Sequence, residues 1–320
     1  MRGYRFFFAI LSVFCFAPVL AQSSVKPIRI IVPFAVGGAS DTYARLAAQK
    51  ITEQTGKAIV VENRTGAGGR IAFDFVAHAA PDGTTISLID ATYAMLAGLF
   101  SNLTWDINAD LVPVALIAQT PFVLVVPNNA SYKTFAEFIA QARANPGKIN
   151  YGSAGVGSTN HIVTERFRAA ANINLTHIPF KGMSEASVAL LSGSADLVIA
   201  ASPTALGQIK GGKVRPLLVT TSARSPTLPE VPTAVEVGMT DFVVTNWFGF
   251  AVPKGTPKDV INTLHDEVMR AVAAPDVKEK LLLQGAESFN YSTEQFAQFV
   301  QKETALWTKV TKENSIKIEP

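Results

Sequence analysis

The sequence is poor in cysteine: its 320 residues contain only Cys15, which lies in an apolar run over residues 6–20. Two arginines precede this run, and it ends in the small-residue pattern VLAQSS. These features are typical of a secretory signal peptide, which we expect to span residues 1–21 and to be cleaved after Ala21. The alternative of a membrane anchor is disfavoured, because spanning a bilayer takes about 20 residues. The mature chain is then expected to lack disulfides, thiol nucleophiles and cysteine metal ligands.

Charged residues are also scarce, at 17% of the chain, with a formal net charge of +3. The expected signal peptide contains two arginines and no acidic residue, so the mature chain would have a net charge of +1. A near-neutral exported chain has no electrostatic basis for binding nucleic acid, and we expect none.

Several catalytic and cofactor motifs are missing. The segment GSAGVGS at 152–158 has the glycine spacing of a P-loop but lacks its lysine, and the dinucleotide pattern G-x-G-x-x-G does not occur there. No G-x-S-x-G nucleophile motif occurs in the chain. His161 and Glu165 are spaced as a metal-binding pair on one predicted helix face, but two ligands without a third do not make a closed site. We therefore predict no catalytic residue, no metal and no cofactor.

Short apolar runs alternate with segments of helical periodicity along the rest of the chain. The runs PIRIIVPF and AIVVEN are each followed by a predicted helix and TTISLI is a third predicted strand, and KINYGSA, LTHIPF and ADLVIAA repeat the strand–helix pattern later. This alternation predicts an α/β fold with largely parallel sheets.

Two glycine-rich loops each follow the first strand of one half of this pattern and open a helix. Loop 1 is PFAVGGASD at 33–41, and loop 2 is YGSAGVGSTNH at 151–161. Helix N-termini present unpaired N–H groups and a partial positive charge, and glycine allows a ligand to approach the backbone closely. The pair is therefore interpreted as two anion sites facing each other across a cleft. The alternative is that both are ordinary strand-to-helix turns.

Two segments are long enough to cross between two lobes, namely TPFVLVVP at 120–127 and DFVVTNWFGFAVP at 241–253. We expect residues 26–124 plus 249–320 to form a discontinuous lobe 1. Residues 125–248 would form lobe 2, inserted into the first. Two crossing segments between lobes make a natural hinge.

The chain resembles the Bug family, the solute-binding receptors of tripartite tricarboxylate transporters, in seven ordered segments that cover nearly all of the mature chain. The two segments that contain the loops are KPIRIIVPFAVGGASDTYAR (26–45) and YGSAGVGSTNHIVTERF (151–167). The others are VVENRTGAGGRIA, PDGTTISL, HIPFKGMSEASVALLSGSADLVI, RPLLVTTSARSPTLPEVPTAVEVG and WFGFAVPKGTP. Val36 stands where the family usually has proline before the glycine pair, and Thr65 is a second such departure.

The resemblance implies a type 2 periplasmic binding protein fold, with two α/β lobes joined by two crossover segments and a ligand cleft between them. It implies a site that grips a carboxylate through backbone N–H groups, hydroxyls and ordered waters. Carried over by motif, the site residues come from the two loops and the surrounding wall. They are Phe34, Gly37, Gly38, Ala39, Ser40, Asp41, Asp90, Ala91, Thr92, Ser153, Ala154, Gly155, Gly157, Ser158, Thr159, Phe180, Ala200 and Ser202.

Two of these residues bear on the ligand. Family members that bind amino acids often carry an acid where this chain has Ala200, which favours a ligand without an amine. Asp90 is an acid on the variable wall, interpreted either as a strand-end cap facing solvent or as a hydrogen-bond partner of a ligand hydroxyl or amine.

The resulting hypothesis is a monomeric periplasmic protein that captures a small carboxylate and delivers it to an inner-membrane tripartite tricarboxylate transporter or a sensor. It is not expected to be an enzyme. The alternatives are an exported enzyme that uses the same cleft and a structural surface protein.

Overall fold

A computed structural model describes residues 26–100 and 102–313. The expected signal peptide and the last residues of the expected lobe 1 lie outside the described residues. None of the helices in the described part of the chain combines the length and apolar character that crossing a bilayer demands.

The first part of the chain is a run of three strand–helix units. The elements are β1 (Ile28–Val32), α1 (Ala39–Thr55), β2 (Ile59–Asn63), α2 (Arg70–Ala77), β3 (Thr85–Asp90) and α3 (Ala91–Leu99). Strand β1 pairs in parallel with both β2 and β3. Because parallel strands end at the same edge of a sheet, the helices α1, α2 and α3 all begin at one edge.

A long strand, β4 (Leu111–Pro127), leads into the second group of strand–helix units. These are α4 (Phe135–Ala144), β5 (Asn150–Ser153), α5 (Thr159–Ala171), β6 (Thr176–Pro179), α6 (Met183–Ser192), β7 (Leu197–Ala201), α7 (Ser202–Lys210) and β8 (Val214–Val219). Strand β5 pairs in parallel with β6 and β7. The chain then returns through β9 (Thr245–Pro253) to α8 (Lys258–Ala273), α9 (Pro275–Leu283) and α10 (Thr293–Glu313).

Strand β4 belongs to both halves of the molecule. Its first part, Leu111–Pro121, pairs antiparallel with β9, which in turn pairs with β3. Its second part pairs with β7 over Phe122–Val125 and with β8 over Val123–Pro127. The two half-sheets, in the order β2-β1-β3-β9-β4 and β4-β7-β5-β6, are therefore joined along one strand, with β8 also on β4.

Each half-sheet has an apolar cluster of its own, and a further cluster extends across both halves, from Ile31 and Phe73 to Ile162 and Leu197. In the first, Tyr43 of α1 packs its ring 4.7 Å from that of Phe248 on β9, and both side chains are fully buried. In the second, a cluster that includes Val123, Leu190 and Val198 lies between β4, α6 and β7. Burial at about 25 cal/mol per Å² of apolar surface is the main stabilising contribution in each core.

Candidate ligand-binding cleft

A cavity of about 370 Å³ lies where loops from the two half-sheets meet. Its wall is formed by four segments together with single residues from the strand ends. The segments are 33–35 and 38–40 of loop 1, 65–69 before α2, 154–156 and 158–160 of loop 2, and 180–184 at the start of α6. The single residues are Asp90, Ala201, Thr204 and Asn246.

Six helices begin at this cavity. The wall includes residues at or beside the first turns of α1, α2, α5, α6 and α7, and Asp90, which precedes α3. The first N–H groups of a helix have no partner within the helix, and each helix N-terminus has about half a positive charge. In the described wall, the only cationic side chain is Lys181 and the only carboxylate is Asp90. The positive potential of the cavity is therefore contributed largely by the backbone.

Loop 1 is held in place by the carboxylate of Asp41. This carboxylate accepts hydrogen bonds from the N–H of Gly37 (3.0 Å), from Arg45 Nε (3.0 Å) and from Asn63 Nδ2 (2.9 Å). Burial raises the pKa of Asp41, but these bonds outweigh that effect and hold the pKa below its usual value. Asp41 is thus committed to the loop, and its side chain lies off the cavity wall.

The conformation of loop 2 is stabilised by two hydroxyl groups that donate hydrogen bonds to the carbonyl of Gly155. The Oγ atoms of Ser153 and Ser158 donate to this carbonyl at 3.2 and 2.7 Å. Ser158 is also the N-cap of α5 and accepts from His161 N at 3.4 Å, as predicted for a helix start.

Two stacked histidines support loop 2 from behind. The rings of His161 and His177 are 4.1 Å apart and nearly parallel. The N–H of Gly157 donates to His161 Nδ1 at 3.2 Å, and Ser153 Oγ lies 2.7 Å from His177 Nε2. Burial, and next the neighbouring His161, lower the pKa of His177 to about 4. Burial also lowers the pKa of His161. Both rings are therefore neutral near pH 7, and the Nδ1 of His161 serves as an acceptor for the loop.

Asp90 is a buried helix cap at the cavity wall. Its carboxylate accepts from the N–H of Thr92 and from Ser40 Oγ, both at 3.0 Å. Asp90 is a cap, as one of the two interpretations predicted, and it caps α3. Only 2% of the residue is exposed, so the prediction that this cap faces solvent is wrong. Burial raises the pKa of Asp90 to about 6 despite these hydrogen bonds.

The structure brings part of the predicted set together at the cavity. On the wall are Phe34, Gly38, Ala39, Ser40, Asp90, Ala154, Gly155, Ser158, Thr159 and Phe180. Off the wall are Gly37, Asp41, Ala91, Thr92, Ser153, Gly157, Ala200 and Ser202. Most of these have supporting positions, such as Ser153 under loop 2 and Thr92 at the start of α3.

Some wall residues were missed by the sequence analysis. The segment TGAGG at 65–69 follows a strand and precedes a helix, which is the same pattern as the two loops, so a signal was present. Lys181 and Asn160 adjoin predicted segments. Asn246 lies inside β9 and had no sequence signal, because only the pairing of β9 beside β3 brings it to the cleft.

The two halves of the molecule touch across the cavity. The hydroxyls of Thr92 on α3 and Thr159 on α5 are hydrogen bonded to each other. A Cβ atom added at Gly68 would lie 3.3 Å from the carbonyl oxygen of Gly157 in loop 2. The wall is therefore assembled from both sides, and neither half forms it alone.

Comparison with known proteins agrees with this architecture. The family model for the tripartite tricarboxylate transporter family receptor, TctC, matches residues 43–316. The protein BugT of Bordetella pertussis is 34% identical over 306 residues, which are 95% of this chain and 94% of BugT.

Three solved structures share the fold. The periplasmic binding protein BugD matches with a TM-score of 0.87 and 32% identity, over 91% of this chain and 99% of BugD. A Rhodopseudomonas palustris protein solved with adipate matches with a TM-score of 0.88 and 31% identity, over 93% of this chain and 100% of that protein. MatC from the same organism, solved with bound malate, matches with a TM-score of 0.85 and 33% identity, over 89% of this chain and 99% of MatC.

The fold is thus that of a periplasmic binding protein, as the sequence predicted. The chain belongs to the tripartite tricarboxylate transporter receptor family, TctC, which includes Bug-type solute-binding proteins.

Proposed function

We propose that the protein binds a small organic carboxylate without an amine in the cavity between its two halves. The observation that supports this most directly is the convergence of six helix N-termini on one cavity of about 370 Å³. Such termini bind anions through N–H groups without any cationic side chain. A carboxylate held in this way keeps both oxygens hydrogen bonded while it is removed from water.

The chemistry of the wall supports a ligand without an ammonium group. A buried ammonium needs a charge partner, because an unpaired buried ion costs several kcal/mol. The two strand-end residues Ala200 and Ala201 provide none, and Asp90, the single carboxylate of the described wall, is the N-cap of α3. Two of the similar proteins were solved with adipate and with malate, which are carboxylates without an amine.

The proposed role is capture in the periplasm and delivery to a tripartite tricarboxylate transporter or to a sensor. Membership of the receptor family supports this role, as does the N-terminal sequence with its expected cleavage after Ala21. We expect a monomer whose lobes, 26–124 plus 249–320 and 125–248, close on the ligand, and we expect no turnover. Gly37, Asp41, Ala91, Thr92, Ser153, Gly157, Ala200 and Ser202 are proposed to support the site.

A thermal-shift screen followed by calorimetry tests this function. Succinate, malate, adipate and benzoate are compared with aspartate and glutamate. A true ligand at 100-fold its Kd stabilises the folded state by about 2.7 kcal/mol, which is readily detected. Stabilisation by an acid without an amine, recovered unchanged after incubation, is the expected result. Preference for aspartate or glutamate would overturn the proposed ligand class, and chemical conversion would favour the enzyme hypothesis.

A further inference from the structure

The side chain of Asn246 stabilises no other part of the described structure by a hydrogen bond. The residue lies on β9 and lines the cavity, yet it is only 5% exposed. Its amide makes no hydrogen bond within the described residues, and its Oδ1 is enclosed without a partner. Burying an unpaired amide costs free energy, so such groups normally have a partner. At a cavity wall, that partner is a bound molecule.

The strand register places Asn246 beside Asp90. Asp90 at the end of β3 pairs with Phe248 on β9, and Asn246 is two residues before Phe248. Residues two apart on a strand share a face, so Asp90 and Asn246 are diagonal neighbours on one face. Such neighbours lie about 7–8 Å apart, within reach of one atom placed between their polar groups. Both residues line the same cavity.

We propose that Asp90 and Asn246 together bind a hydroxyl group of the ligand, which makes Asn246 a specificity-determining residue. This inference rests on the proposed function, since it concerns the same cavity. The acid grip at the helix N-termini and this hydroxyl site would then select a hydroxy acid over its unsubstituted analogue.

The donors and acceptors of the pair match a hydroxyl better than the alternatives. An ionised Asp90 only accepts hydrogen bonds, whereas the amide of Asn246 also donates through Nδ2. A hydroxyl donates and accepts, so it satisfies both groups at once. A second ligand carboxylate could only accept hydrogen bonds, and its negative charge would lie next to that of Asp90. A ligand ammonium could only donate, so the Nδ2 donor of Asn246 would stay unpaired. A methylene group would leave the whole amide of Asn246 without a partner.

The carboxylate of Asp90 accepts hydrogen bonds from Thr92 N and from Ser40 Oγ, both at 3.0 Å, and a carboxylate offers about four lone-pair sites. The Thr92 hydroxyl and the Tyr93 N–H also stabilise this carboxylate, so a ligand hydroxyl would share it with these groups. Asn246 holds no other group in place within the described residues. Replacing Asn246 therefore removes a ligand contact without removing an internal hydrogen bond.

Calorimetry at pH 7.5 with matched pairs of acids tests the proposal. Malate is compared with succinate, and lactate with propionate, in the wild type, in Asn246→Leu and in Asn246→Ala. Asn108→Leu is the control, because Asn108 is an exposed asparagine away from the cavity wall. In the wild type, a hydrogen bond to a charged group predicts about a 10- to 100-fold preference for the hydroxylated acid of at least one pair.

The expected result is that this ratio of affinities falls toward one in both Asn246 variants and is unchanged in the control. Asn246→Ala keeps the test valid if the leucine variant does not fold. A wild-type ratio near one, or a high ratio that persists in the Asn246 variants, overturns the inference while leaving carboxylate binding in place. Failure of the wild type to bind any of the four acids would instead count against the proposed function.

Discussion

Ser158 combines a structural and a binding position in one residue. Its hydroxyl donates to the carbonyl of Gly155 and accepts from His161 N, and the residue also lines the cavity. Because the hydroxyl proton is already used, a carboxylate bound as proposed would meet the N–H groups beyond Ser158 more directly than its Oγ. In that complex the cap would orient those N–H groups toward the ligand.

We expect Ser158→Ala to lower the free energy of unfolding by about 1 kcal/mol, the usual cost of a lost N-cap, and also to weaken carboxylate binding. Urea denaturation and calorimetry measure the two effects. Thr134→Ala is the matched control, because Thr134 caps α4 in the same way and does not line the cavity. It should lose similar stability and bind normally. Unchanged affinity in Ser158→Ala would leave Ser158 with the capping role alone.

His177 provides a pH-dependent element of stability. Its folded pKa of about 4 lies below its unfolded value of about 6.5, so the unfolded chain binds the proton first on acidification. The stability associated with this ring is therefore fully present above pH 6.5 and is lost as the pH falls toward 4. The charged groups that affect the ring are His161, when protonated, and Glu165.

His177→Gln should accordingly show a smaller loss of unfolding free energy between pH 7 and pH 5 than the wild type. Urea denaturation at both pH values measures the difference. His78→Gln, at an exposed histidine outside loop 2, is the control for replacing a histidine by glutamine. An equal pH dependence in His177→Gln and the wild type would contradict this account of loop 2.

At the scale of the elements, the two loops use glycine for different reasons. Gly38 in loop 1 has φ −75°, and a Cβ atom there would lie 3.5 Å from the Ala35 carbonyl oxygen, an ordinary contact. Gly38 lines the cavity, so its lack of a side chain leaves room for the ligand. Gly157 in loop 2 has φ +83° and lies off the wall, so its glycine serves the backbone conformation.

We therefore expect a substitution at Gly38 to affect mainly ligand binding and a substitution at Gly157 to affect mainly stability. Gly38→Val should fold with near wild-type stability and bind carboxylates at least about tenfold more weakly, because its side chain enters the cavity. Gly157→Val should lose at least about 1–2 kcal/mol of stability, the cost of a left-handed conformation for an L-residue. Denaturation midpoints and calorimetry measure both. Wild-type affinity in Gly38→Val would mean that loop 1 is only a turn.

The elements were largely predictable because strand and helix signals are local. Loop 1 at 33–41 was expected to open a helix, and α1 begins in it at Ala39 and ends at Thr55. The segment TPFVLVVP at 120–127 was expected to cross between two lobes, and it is the second part of β4, whose ladder continues past Pro121 onto β7 and β8. Asn246 was missed because its place depends on register between distant strands. Asp41 fitted the motif, but its partner Asn63 is 22 residues away, and no local pattern shows that pairing.

At the scale of the whole molecule, the proposed closure of the lobes rests on contacts between the two halves across the cavity. The hydrogen bond between Thr92 and Thr159 joins α3 to α5 at the cavity. The mature chain is expected to have no cysteine, so a cysteine pair placed here reports only on these two positions. The lobe boundaries remain a prediction that such a pair helps to test.

Oxidised Thr92→Cys/Thr159→Cys should hold the lobes together and slow the exchange of a carboxylate identified in the screen. Reduction should restore the wild-type rate, and each single variant should exchange normally in both conditions. Stopped-flow measurements give the rates, and small-angle scattering should show that only the reduced protein becomes more compact on binding. Unchanged exchange in a fully oxidised sample would show that the ligand reaches the cavity without separation of the two halves.

The use of backbone N–H groups to hold the acid has a consequence for how this protein can diverge. Every residue except proline has an N–H group, so most substitutions in the wall leave the anion grip in place. Changes at positions such as Asp90, Asn246 or Lys181 can therefore alter what surrounds the carboxylate without abolishing its capture. If the protein binds acids as proposed, single substitutions at these positions can change which acid is bound, and each intermediate variant still binds an acid.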